Sequence, residues 1–153
     1  MKKAKTARAA RYLKGKEPKV VEDEKSALFL RAAKTSERSL SALRDLHQLK
    51  KPAAQLFSRK NPVRPFEDET SVEFLCQKNE CSVFGFGSHS KKRPHNLILG
   101  RTYNYKIYDM YELALTDIKT SSQFKAAKQP TLGNRPIIVF QGDAFEHDTK
   151  FQE

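Results

Sequence analysis

Cysteine is scarce in this chain: only Cys76 and Cys81 occur, and the basic N-terminus is followed by no apolar stretch of the secretory kind. Few thiols and no leader pattern point to a reducing compartment and away from a disulfide scaffold. No segment approaches the ~18 consecutive apolar residues of a membrane-spanning helix. Gly-x-Ser-x-Gly, P-loop and zincin patterns are all missing. Gly85-Phe86-Gly87 opens like a dinucleotide fingerprint, but the third glycine is absent and no helix follows. Cys76 and Cys81 have no second pair to complete a tetrahedral zinc set, and His89 and His95 do not have the usual zinc spacing. The two cysteines therefore read as a core residue and a residue at a strand start. His47 lies among leucines and reads as the flank of a helix, not as a base. Glu67-Asp68-Glu69 suits the first turn of a helix better than a divalent ion. No catalytic residue, metal site or cofactor is expected.

What the chain has in excess is positive charge. Its 153 residues carry 29 Lys+Arg against 18 Asp+Glu, a net charge of +11 and a pI near 9.7. The length suits one domain with a core of its own. Hydrophobic residues make up 38% and charged residues 31%, the mix of a soluble domain with charged extensions. A surface this basic attracts polyanions, nucleic acid first.

Patterning divides the chain into a basic N-terminal arm over 1–22, a folded α/β unit over 23–145 and a tail over 146–153. The arm holds Lys2, Lys3, Lys5, Arg8 and Arg11 among alanines, with Glu17 its first acid. It cannot bury enough surface to offset its ordering entropy, so it is expected to order on a polyanion. Ser26–Arg31 reads as a buried strand. Thr35 or Ser36 caps a helix over 37–50, whose stripe of Leu40, Leu43, Leu46 and Leu49 faces the core and which Pro52 stops. Ala53–Phe57 is a short strand or turn, and Ser58–Phe66 a proline-stiffened loop. A second helix over 70–79, capped by Thr70 or Ser71, buries Val72, Leu75 and Cys76. Ser82–Gly87 and His95–Arg101 form a hairpin with a basic tip. Residues 106–116 fit helix and strand alike by periodicity. Residues 120–134 read as a loop and Ile137–Phe140 as a buried strand. The two helices cover little more than one sheet face.

The basic residues cluster at turns. Lys91, Lys92 and Arg93 project from the hairpin tip, Arg59, Lys60 and Arg64 decorate the proline loop, and Lys119, Lys125, Lys128 and Arg135 lie late in the chain. Arg101, at the end of the returning strand, joins the candidates. Loop tips reach a phosphate backbone without disturbing a core. With few aromatics available for stacking, backbone and shape recognition of folded RNA is expected over single-strand reading.

Several blocks then resemble a known family in order: Pro18–Glu22 with Lys25–Arg31, Lys60–Asp68, Phe84–His95 and Asn104–Leu113 are similar to the first part of the Brix domain. The resemblance implies an α/β half-domain like the anticodon-binding domain of class II aminoacyl-tRNA synthetases. It would have a mixed sheet with helices and an extended strand at 106–116. It also implies a non-enzymatic assembly factor of the large (60S) ribosomal subunit, nuclear and concentrated in the nucleolus. Such factors bind ribosomal RNA. With the regulator of ribosome synthesis protein they bring 5S rRNA and its ribosomal proteins to the subunit precursor. Two other readings stay open: the RNA-binding domain of a tRNA-handling enzyme, and a structural adaptor whose charge serves solubility. The sequence stops after the first half of such a domain, so an uncovered sheet edge and a need for a partner are expected.

Overall fold

In the computed structural model residues 25–124, 131–134 and 137–147 are described, together with residues 6, 8, 11, 12 and 15. Most of the basic arm and most of the tail lie outside these. Strand β1 (Ala27–Ala32) is apolar on both faces, with Leu28 and Leu30 on one and Ala27 and Phe29 on the other. Helix α1 (Glu37–Lys50) begins at Ser36, whose side-chain oxygen accepts the Ser39 amide proton at 3.2 Å. That bond satisfies one of the donors a helix start leaves orphaned.

The leucine stripe of α1 is not uniformly buried. Residues three apart fall about 60° short of a full turn, so three such steps, from Leu40 to Leu49, end on the opposite side of the helix. Leu43 is fully buried and Leu40 and Leu46 partly, whereas Leu49 is exposed; Ser39 and Ala42 complete the core-facing surface.

Strand β2 (Ala54–Asn61) is longer than its sequence suggests. Ser58–Asn61, expected in the loop, continue the strand, pairing in parallel with β1 from Ala27–Ala54 to Ala32–Asn61 across a bulge between Phe29 and Arg31. Pro62, which has no amide proton to donate, ends the ladder. Helix α2 (Thr70–Lys78) follows, and β3 (Val83–Ser88), β4 (Asn96–Tyr103) and β5 (Lys106–Ala114) complete the sheet. Residues 106–114 are thus extended, and their turn from β4 is a two-residue one with Asn104 and Tyr105 at φ of 50° and 61°. Positive φ at both central positions matches the right-handed twist of a tight hairpin.

The strand order is β2-β1-β3-β4-β5, with β1, β2 and β3 parallel and β4 and β5 antiparallel. The crossover through α1 leads from β1 outward to β2, and the one through α2 steps back across β1 to β3. Crossovers of one hand running in opposite directions place their helices on opposite faces. The core shows this division. Val72 and Cys76 of α2 pack with Leu28, Leu30, Phe84, Phe86 and Ile98. Leu43 of α1 packs with Ala27, Phe29 and Leu97 on the other side. The two helices therefore share both faces of the parallel strands, correcting the expectation that they cover little more than one.

Ile137–Phe140 is not a buried strand. The segment is irregular, with Ile137 93% and Phe140 64% exposed. Apolar composition cannot bury a strand that has no ladder partner, and among the described residues no strand pairs with this segment. Such an exposed apolar run favours self-association. Replacing Ile137 and Val139 with lysine is expected to shift stability by no more than about 0.5 kcal/mol and to raise the soluble concentration. Thermal melts with light scattering check this; a clear loss of stability would mean the segment is packed.

Candidate nucleic-acid interface

Because β1, β2 and β3 run the same way, their C-terminal ends meet at one end of the sheet. The N-termini of α1 and α2 and the β3–β4 turn lie at that end too. In open α/β sheets this is where connecting loops assemble ligand sites. Two loops far apart in sequence are fastened together here. His89 donates its amide proton to the Lys34 carbonyl at 3.0 Å. The Thr35 hydroxyl lies 3.1 Å from the Gly87 carbonyl, and the buried Ser39 hydroxyl donates to the Ser88 carbonyl at 3.4 Å. Asn61, at the end of β2, reaches the Arg31 carbonyl with its side-chain amide.

The basic residues gathered at this end differ in availability. Lys91 and Lys92 stand exposed on the tip, and Arg59 and Lys60 are exposed on edge strand β2, not on a loop. Among the described residues no carboxylate pairs with any of these four. Lys34, missed in the sequence reading, is exposed beside the tip. It becomes visible only when the sheet brings the β1–α1 loop against the β3–β4 turn.

The arginines are tethered. Arg93 donates to Glu112 Oε1 at 2.9 Å, and the side-chain amide of the buried Asn96 donates to the same oxygen at 2.6 Å. The Arg93 amide also bonds the Ser90 hydroxyl at 3.0 Å, closing the turn. Arg64 is held by both oxygens of Glu67, at 2.8 and 3.2 Å. Arg101 lies at the far end of β4, gripped by Asp109 at 2.7 Å, and is not part of this cluster. Arg8 and Arg11 are exposed and helical. Lys2, Lys3, Lys5, Lys125 and Lys128 lie outside the described residues.

The start of α2 is already neutralised by the chain itself. Asp68, not Thr70 or Ser71, supplies the cap: its carboxylate accepts the Thr70 amide proton at 3.1 Å and the Thr70 and Ser71 hydroxyls at 2.5 and 2.9 Å. The Thr70 hydroxyl, then that of Ser71, hold its carboxyl below the usual range. Cys76 and Cys81 are fully buried. Burial pushes the Cys76 thiol up to about 12 and raises that of Cys81, so neither is poised as a thiolate.

The arrangement is one end of the sheet where Arg59, Lys60, Lys91 and Lys92 have no carboxylate partner among the described residues, and where neither cysteine is poised as a nucleophile. The Brix domain model matches residues 32–153. Curated proteins named ribosome production factor 2 homolog match in Mus musculus (43% identity over 150 residues, 98% of this chain and 49% of the relative). In Schizosaccharomyces pombe the match is 45% over 145 residues (94% and 45%). In Arabidopsis thaliana it is 44% over 148 residues (94% and 47%). The chain spans about half the length of the curated relatives it matches.

Proposed function

The chain belongs to the Brix-domain family, and we propose that it is an assembly factor of the large ribosomal subunit that grips ribosomal RNA with the basic end of its sheet. The observation that carries this reading is the convergence of Lys34, Arg59, Lys60, Lys91 and Lys92 on one rigid end, with no ion-pair partner among the described residues. Lysines at loop tips suit the sequence-independent grip on phosphates that positions a folded RNA. The likeness to proteins named for ribosome production supports the ribosomal setting. From the resemblance we take the partners: 5S rRNA, large-subunit rRNA, the regulator of ribosome synthesis protein and the ribosomal proteins of the 5S particle, met in the nucleolus. The role is binding and positioning, without a catalytic step.

The test is the double variant Lys91→Ala/Lys92→Ala against a structured large-subunit RNA. Two exposed contacts are expected to contribute about three- to tenfold in affinity, and the salt slope should shrink by about two. The melting midpoint should stay put, because neither side chain packs. Arg93→Ala is expected to lower the midpoint as well, since it strips Glu112 of its charge partner beside buried Asn96. Unchanged RNA affinity in the lysine variant would remove this end of the sheet from the interface. A partner protein captured from cells by both forms would then favour an adaptor.

A further inference from the structure

The β4–β5 pair slips register beside Arg101: Arg101 faces Asp109 and Thr102 faces Ile107, leaving Tyr108 as an extra residue. A bulge of this kind can turn two successive side chains toward one facing residue, and both contact Arg101. Asp109 Oδ2 accepts the Nε proton at 2.7 Å and pairs with a terminal guanidinium nitrogen at 2.7 Å. The guanidinium carbon lies 5.0 Å from the centroid of the Tyr108 ring. One edge of the Arg101 guanidinium, Nε and one terminal nitrogen, is thus committed to Asp109, and its charge is largely balanced. That makes it a poor phosphate clamp but leaves a flat, fixed guanidinium over an aromatic ring. Tyr108 is 70% exposed and Tyr103 is 79% exposed. Tyr103 lies two residues from Arg101 on the same strand, hence on the same face.

We propose that Arg101, Tyr108 and Tyr103 form a shelf on which one unpaired nucleobase stacks, an inference that rests on the RNA-binding reading above. Guanidinium planes and aromatic faces are the surfaces that proteins use to hold splayed-out bases, and such stacking tolerates any base. The bulge keeps the shelf in place before RNA arrives, so little ordering cost is left for the complex. The shelf lies at the opposite end of β4 from the basic tip, about 24 Å away at ~3.4 Å per residue. An RNA whose phosphates sit on Lys91 and Lys92 would therefore present an unpaired base to the shelf from a loop or flank, not from the gripped stem. This adds base stacking to the backbone recognition expected from the sequence.

The experiment compares two RNAs bound by the full chain: a fully paired hairpin, and the same stem carrying a single-stranded loop with 2-aminopurine. Wild type should quench the 2-aminopurine. Tyr108→Ala should abolish the quench and weaken the loop RNA by about tenfold, leaving the paired hairpin unaffected. Tyr108→Phe should retain both. Lys91→Ala/Lys92→Ala should weaken both RNAs. If Tyr108→Ala melts early, Tyr103→Ala decides, its side chain being mostly in solvent. Quenching and affinity that survive both alanine variants would overturn the shelf and leave the patch to a protein partner, with the phosphate-binding reading intact. Failure of wild type to bind either RNA would remove both readings together.

Discussion

The affinity of the chain for structured ribosomal RNA is expected to fall about a thousandfold between 50 and 200 mM salt. Each neutralised phosphate contributes about 0.9 to the slope of log affinity against log salt, so six contacts over a fourfold rise in salt give roughly three decades. The five unpaired cations of the sheet end, Lys34, Arg59, Lys60, Lys91 and Lys92, give about 500-fold on the same arithmetic. Arg64 and Arg93 add little while Glu67 and Glu112 hold them. The size of the fall therefore says how far the interface extends. A thousandfold change requires further cations, such as the basic residues of the first 22. Deleting residues 1–22 should then bring the slope down toward the value for the sheet end. A titration by fluorescence anisotropy at several salt concentrations reads both. A flat salt dependence would exclude phosphate gripping altogether.

Local chemistry was legible in the sequence wherever one residue type dictates one conformation. Thr35 or Ser36 marks the start of α1 in the sequence, with Ser36 the one that caps it, and the apolar run of Leu28–Leu30 reads as a strand. Lys91–Arg93 lie on the hairpin tip where the pattern puts them. The strand at 106–114 was not legible from periodicity, since Met110 and Tyr111 fit both periods, and the family resemblance decided it. What stayed hidden depends on residues distant in the chain. Ser58–Asn61 are polar and precede a proline, yet β1 offers them a ladder. Ile137–Phe140 is apolar but finds none. The arginines look alike in a charge count. Only the fold brings Glu112 to Arg93, across 19 residues, and Asp109 to Arg101, across 8. Those pairings separate side chains that can meet a phosphate from side chains already committed. Tyr108, 70% exposed, sits at a bulge that no spacing rule announces.

The core offers the most severe expected loss of stability. Phe84 of β3 is fully buried and lies opposite Gly100 of β4. A methyl group at Gly100 would lie 2.4 Å from Phe84 Cζ and 2.6 Å from Cε1, well inside contact distance. The glycine is there because the ring occupies the space its side chain would need. Phe84→Ala removes that ring from a cluster that includes Leu28, Val72, Cys76 and Ile98, and is expected to cost about 3–5 kcal/mol. Most domains of this size have only about 5–15 kcal/mol in total, so this variant should lose from about a fifth of that stability to all of it. Gly100→Ala alone should cost about 1–3 kcal/mol by overpacking, because the ring has to move and its neighbours are close-packed. Together the two changes relieve each other: the added methyl fills part of the space the ring vacates. The double variant is therefore expected to be more stable than the sum of the single losses by about 1 kcal/mol or more. Urea unfolding of the four forms measures the cycle. Strict additivity would show that Phe84 and Gly100 do not share that space.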